Sequence, residues 1–201
     1  MKARLAWAAL VLAAVTACGR GGGAAASRAA GAASSSGVAP APSSASAPPP
    51  EVEALWVAAE GGEADDWMRL ADGEGSTGLV EGAKAPARRL TAIRALAYVD
   101  DFEALPFLAS VIESATADGG DAKVAAETVT ALAARPRRAT DPEDAASLRA
   151  GCDRLLAFAR DPARPRGLRV EVVRALRMLS DRGCPKAADV PNDVNAAAAA
   201  R

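Results

Sequence analysis

PARRLTAIRALAYVDDFEALPFLASVI, residues Pro86 to Ile112, decides how this chain folds. Leu90, Ile93, Leu96 and Ala97 recur at the spacing of one helical stripe, about 3.6 residues per turn. Pro86 suits a first helical turn, where a missing N–H costs little. Asp100 and Asp101 then interrupt the run. Asp100 is placed to cap the next helix, and Glu103, three residues on, reaches back as in a capping box. The second helix carries Leu105, Leu108, Ala109 and Ile112 on one stripe. Two amphipathic helices joined by so short a turn are expected to lie antiparallel, apolar faces together.

The same pattern returns downstream. Ile93-Arg94-Ala95-Leu96 is echoed by Val129-Thr130-Ala131-Leu132 and by Val173-Arg174-Ala175-Leu176, at offsets of about 36 and about 44 residues. From roughly Asp65 to Cys184 the chain resembles the HEAT-repeat family in its divergent, alanine-rich form. The resemblance implies an all-α fold: a short right-handed α-solenoid of about three and a half helical hairpins, presenting one extended face. It also implies a non-catalytic scaffold or adaptor that binds a protein partner. That face is either the second-helix segments Asp101–Thr116 and Glu143–Arg160, or the first-helix set with Arg88, Arg94 and Arg174.

Around this centre the helix signals are local. Val52, Leu55, Trp56 and Ala59 share one side of an opening helix that Gly61-Gly62 ends. Asp65–Asp66 precede Trp67, Leu70 and Ala71, and Ser76 is placed to cap a short helix through Leu79, Val80 and Ala83. These make a weak terminal repeat, in which Trp56 and Trp67 either seal the open end or anchor a partner. Asp121 starts a helix bearing Val124, Ala125, Val129 and Leu132, and Pro136 stops it. Asp141-Pro142 is a cap followed by a first-turn proline, ahead of a stripe at Leu148, Cys152, Leu155, Leu156 and Ala159. Arg166 to Asp181 repeats that spacing at Leu168, Val172, Ala175, Leu176 and Leu179, before Gly183 and Pro185. No stretch alternates with period two, so no strands are expected. After Pro191 the tail shows no pattern and is expected to fray.

The chain opens MKARLAWAALVLAAVTAC. Lys2 and Arg4 precede an apolar run from Leu5 to Val15 that is too short for a comfortable membrane span. Val15-Thr16-Ala17-Cys18 resembles the lipobox of bacterial lipoproteins. That resemblance implies cleavage before Cys18, lipidation of its thiol and anchoring in a membrane through it. Gly19 rather than Asp after the cysteine implies the outer membrane of the cell envelope, facing the periplasm or the cell surface. More than one acyl chain makes such anchoring stable. From Gly19 to Pro50 the chain is almost wholly Gly, Ala, Ser and Pro, a tether averaging about 30 Å end to end as a flexible coil. The expected organisation is a signal peptide over 1–17, lipidated cysteine and disordered linker over 18–50, the helical repeat domain over 51–190, and a disordered tail over 191–201.

Chemistry is narrowed by what is absent. The chain has no histidine, which removes imidazole bases, Ser-His-Asp and Cys-His pairs, and His-based zinc sites. Three cysteines, one assigned to lipid, are too few for a metal cluster. Asp65–Asp66 and Asp100–Asp101 read as helix caps rather than a catalytic carboxylate pair. No cofactor, metal or catalytic residue is expected, and the export signal argues against nucleic acid. A monomer is expected.

Cys152 and Cys184 would meet an oxidising envelope, where disulfides persist. In a simple antiparallel pair Cys152 falls about 15 Å short of Cys184, against a usual Cα spacing of about 6 Å. The bond would require the chain to fold back after Gly183.

Charge is divided along the chain. Glu51 to Ala134 holds 6 basic and 16 acidic residues, whereas Arg135 to Cys184 holds 12 basic and 7 acidic. Arg135, Arg137 and Arg138 cluster in one loop, and Arg166, Arg169, Arg174 and Arg177 are assigned to the polar side of the last strong helix. They are either a solvated face or a surface for an anionic partner: an acidic protein, lipid headgroups or an envelope polymer. Beside the adaptor stands the alternative of a regulatory or inhibitory subunit of an envelope enzyme.

Overall fold

The computed structural model describes residues 50–115, 119–135, 139, 141–187 and 190–200. The signal-like segment, Cys18, the linker, Arg137 and Arg138 lie outside the described residues. The fold is all-α, with no strand among the described residues. In chain order the helices are α1 (Pro50–Glu60), α2 (Ala64–Gly82), α3 (Arg89–Ala95), α4 (Leu105–Glu113), α5 (Gly120–Ala134), α6 (Pro142–Arg160), α7 (Arg166–Leu179) and α8 (Asn192–Ala199).

The central stretch is helical at both ends but its middle departs from the expected hairpin. Residues 96–104 form turns rather than continuing α3, and they bury Leu96, Val99, Phe102 and Ala104. Asp100 does not cap α4. That helix begins at Leu105, with Pro106 in its first turn and no side-chain cap. The neighbouring Asp101 instead accepts from the Glu103 N–H at 2.9 Å and from the Ser76 hydroxyl, while the Phe102 N–H donates to Asp144 on α6. Burial of Phe102 and the φ preference of Pro106 outweigh the local capping signal. Ser76 is buried and acts as a donor rather than a cap, inside α2, which bends at Gly75 (φ 63°).

The helices pair differently as well. α3 packs on α2 and α5, and α4 packs on α5 and α6, whereas α3 and α4 do not pack closely together. The three echoed segments end in Leu96, Leu132 and Leu176, all fully buried. They lie on or at the end of α3, α5 and α7, and these helices pack in succession, α3 on α5 and α5 on α7. The strongest expected start is present: the Asp141 side chain accepts from Asp144 N at 2.8 Å, with Pro142 following. Trp56 is buried at the α1–α2 end, as a sealing residue would be.

Cys152 and Cys184 are disulfide-bonded, with Cα atoms 5.6 Å apart. Gly183 takes φ 112°, a left-handed conformation that glycine adopts at no steric cost, and Cys184 N–H donates back to Leu179 O at 3.3 Å. The chain therefore reverses after α7 and brings Cys184 down beside α6.

The tail also differs from expectation. Instead of fraying it forms α8, which packs on α7 with Val194 and Ala198 buried. Its alanines favour helix, but eight residues would not hold a helix alone, so the docking is what orders them.

Two outcomes test this packing. A Cβ at Gly151 of α6 would stand 2.5 Å from Leu105 Cγ of α4. Gly151→Val should therefore destabilise the fold by about 1–3 kcal/mol in urea unfolding, as an overpacked core does. Replacing Cys152 and Cys184 together by serine should lower stability by about 2–4 kcal/mol, and an unchanged midpoint would remove the disulfide from the fold's support.

Candidate functional site

The start of α2, the end of α3 and the outer side of α5 enclose an open groove of about 490 Å³. Trp67 stands at one wall, fixed by its indole N–H, which donates to Ala59 O at 2.9 Å at the end of α1. Arg94 of α3 lies over that indole with its guanidinium 5.4 Å from the ring centroid. Tyr98, in the turn that follows α3, extends the same side. Ala97, Val124 and Ala131 give an apolar floor, with Glu127 and Thr128 of α5 opposite. Among the described residues Arg94 has no acidic partner, so its charge faces the groove. An arginine stacked on tryptophan keeps its in-plane N–H donors available to an acceptor.

The groove can hold a protein segment by stacking, by burial of small side chains and by a charge-assisted hydrogen bond to Arg94. The described residues contain no group of three His, Cys, Asp or Glu placed to hold a metal. None of the described helices is long and apolar enough to cross a membrane.

The expected arginine surface is arranged otherwise. Arg135 turns its guanidinium inward, donating to Tyr98 O at 2.7 Å and lying 5.8 Å from the Tyr98 ring centroid. It thereby fixes the end of the groove. Arg169 is not on the polar side of α7: it is buried, with Nε donating to Ala159 O at 2.9 Å and Nη2 without a partner. Arg166 pairs with Asp193 at 3.3 Å. Arg174 donates to Glu171 at 2.6 Å and to Ala200 O at 3.2 Å, and Arg177 donates to Asn195 O at 2.9 Å. Three of the four arginines thus reach α8, Arg166 and Arg177 while remaining exposed.

Arginines also join the middle helices. Arg154 of α6 grips the Glu113 carboxylate and reaches Pro106 O at 3.1 Å. The hydrogen bond to Glu113 raises the Arg154 pKa above its ordinary value and keeps the guanidinium charged. Arg164 donates to Glu113 O at 2.8 Å, at the end of α4. At the other end of the domain Arg88 pairs with Glu53 at 2.6 Å and covers Trp56 at 5.0 Å.

Sequence reasoning named Arg94 as one member of the first-helix set but missed Trp67, Tyr98 and Glu127 as its companions. A signal was present: Arg94 and Tyr98, Val124 and Thr128, and Glu127 and Ala131 are each four residues apart. The two α5 pairs share a helix side, whereas Tyr98 stands in the turn beyond α3. What joins the two sides across the groove is tertiary.

With this geometry in place, comparison finds no match among protein-family models, curated proteins or solved structures.

The acidic end has a titration consequence. Glu103 has its pKa raised, chiefly by Asp101, then by desolvation and by Glu143, Asp141 and Asp144. A carboxyl raised in the folded state binds its proton more tightly there than when unfolded, so this repulsion costs stability at neutral pH and is relieved as pH falls through the folded value. Glu103→Gln should therefore raise the Tm at neutral pH. The gain should shrink as pH falls through the folded value and vanish well below the ordinary glutamate pKa of about 4.3, where both states are protonated. A gain that persists in acid would mean the substitution acts through packing.

Proposed function

We propose that this protein is a lipid-anchored cell-envelope adaptor, non-catalytic, that captures a protein partner in the groove between α3 and α5. The single observation that carries the reading is Arg94, a guanidinium stacked on Trp67 and lacking an acidic partner among the described residues, above an apolar floor. Support for a HEAT-like right-handed array comes from the echoed segments of α3, α5 and α7 on helices that pack in succession. On this reading the working face is the first-helix set. Support for the anchor is the lipobox-like Val15-Thr16-Ala17-Cys18, with Gly19 favouring the outer membrane and the Gly/Ala/Ser/Pro segment serving as tether.

The test is capture from detergent-solubilised envelope with the full chain as bait. The double variant Arg94→Glu, Tyr98→Ala should lower recovery of the partner by roughly tenfold or more, as loss of an interface anchor does. Arg169→Met, which alters a buried side chain, should leave recovery unchanged. Equal recovery by the groove variant and the parent chain would overturn the groove as the site. Separately, Cys18→Ser should move the protein from the membrane to the soluble fraction, and persistence in the membrane fraction would overturn the lipid anchor.

A further inference from the structure

α8 sits on a surface built from charge. Arg166, Arg174 and Arg177 of α7 are spaced by eight and three residues, which places them on one side of that helix. All three direct donors at α8 or the residue that follows it: Arg166 Nε to Asp193 Oδ2 at 3.3 Å, Arg174 Nη2 to Ala197 O at 3.4 Å and Ala200 O at 3.2 Å, and Arg177 Nη2 to Asn195 O at 2.9 Å. Apolar anchorage is slight, since Val194 and Ala198 are the buried residues of α8. No side chain caps its first turn.

This asymmetry sets what fits the surface. On α8 and the residue after it the three guanidinium groups meet mainly neutral carbonyl oxygens, with Asp193 the one carboxylate they reach there, while Arg174 also pairs with Glu171 of α7 at 2.6 Å. A hydrogen bond from guanidinium to carboxylate is roughly twice as strong as one between neutral groups. A helix that offered carboxylates where α8 offers carbonyls, with small apolar residues at the spacing of Val194 and Ala198, would be held more strongly per contact.

We propose that the Arg166/Arg174/Arg177 face of α7 is a second docking surface, that α8 is its resident occupant, and that a short acidic helix of a partner protein takes the place of α8. Being part of the same chain as α7 gives α8 a high effective concentration, so an incoming helix must exceed it in contact strength. Its apparent affinity is reduced by the small fraction of molecules in which α8 is open. The inference rests on the adaptor reading for its protein partner but not on the groove at Trp67.

The experiment uses the full chain and two synthetic peptides. One carries residues 190–200 unaltered; the other carries Asn195→Glu, Ala197→Glu and Ala200→Glu. Binding is read from the Nε–H resonances of Arg166, Arg174 and Arg177, and displacement from hydrogen exchange of the α8 amides. The acidic peptide should shift those resonances, speed exchange in α8, and bind about tenfold tighter than the unaltered one. Unseating α8 with Val194→Gly and Ala198→Gly should strengthen its binding further, and Arg174→Gln with Arg177→Gln in that background should abolish it. Binding with α8 still protected would place the site elsewhere and overturn the proposal. So would absence of binding to the variant with α8 unseated, or protection of α8 undiminished by those two glycines. Because these readouts need no captured partner, failure of the envelope adaptor and failure of this surface are separately visible.

Discussion

Asp144 is the side chain on which the arrangement of the middle helices depends. It is buried, its N–H is taken by the Asp141 cap, and its carboxyl accepts the Phe102 N–H from a turn forty-two residues earlier. One residue thus joins the start of α6 to the turn between α3 and α4. Phe102 is fully buried beside it. A polar backbone group carried inward by that ring needs a partner, since an unsatisfied buried N–H costs about 1–3 kcal/mol. With the turn drawn toward α6, α4 is committed to packing on α5 and α6 rather than folding back on α3.

The alanine-rich composition explains the second feature of the fold. Small side chains let helices approach closely but bury little area per residue, so polar contacts between helices take a larger share. Arginine supplies them in a repeated way, by donating to carbonyls at or near helix ends. Arg135 reaches Tyr98 O just past α3, Arg164 reaches Glu113 O at the end of α4, Arg169 reaches Ala159 O in the last turn of α6, and Arg174 reaches Ala200 O beyond α8. The last carbonyls of a helix lack intrahelical partners and carry the negative end of its dipole, which a cation completes. Much of the basic half of the chain is therefore internal structure. The cations weighed for a partner are therefore Arg94, half-buried over Trp67 and without an acidic partner among the described residues, and those of the α7 face that α8 occupies.

How much of this was legible in the sequence follows from how far each signal reaches. The start of α6 was readable because Asp141, Pro142 and Asp144 lie within one turn and interact with each other. The stripes of α6 and α7 were readable because a helix repeats every few residues whatever it packs on. Asp100 misled because a capping motif is local, and here a buried phenylalanine and a proline moved the helix start to Leu105. Cys152 and Cys184 looked too far apart because an antiparallel pair was extended straight, whereas Gly183 reverses the chain. The alanine tail looked featureless because its ordering comes from arginines on another helix.

The sequence by itself determined that the described chain is helical, where most helices begin and stop, most of the leucines and valines that face inward (Leu90, read into the first stripe, is instead exposed), and that Arg94 belongs to a candidate face. Each of these is settled by periodicity, caps, glycines and prolines within a few residues. Tertiary structure decided which helices pair, that Cys184 returns to Cys152, that α8 forms, that Arg169 is buried, and that Trp67, Arg94 and Tyr98 face Glu127 and Thr128 across a groove. Those outcomes depend on donors, acceptors and apolar surfaces that lie far apart along the chain. They acquire partners only when α3, α5 and α7 are stacked, so no local pattern records them.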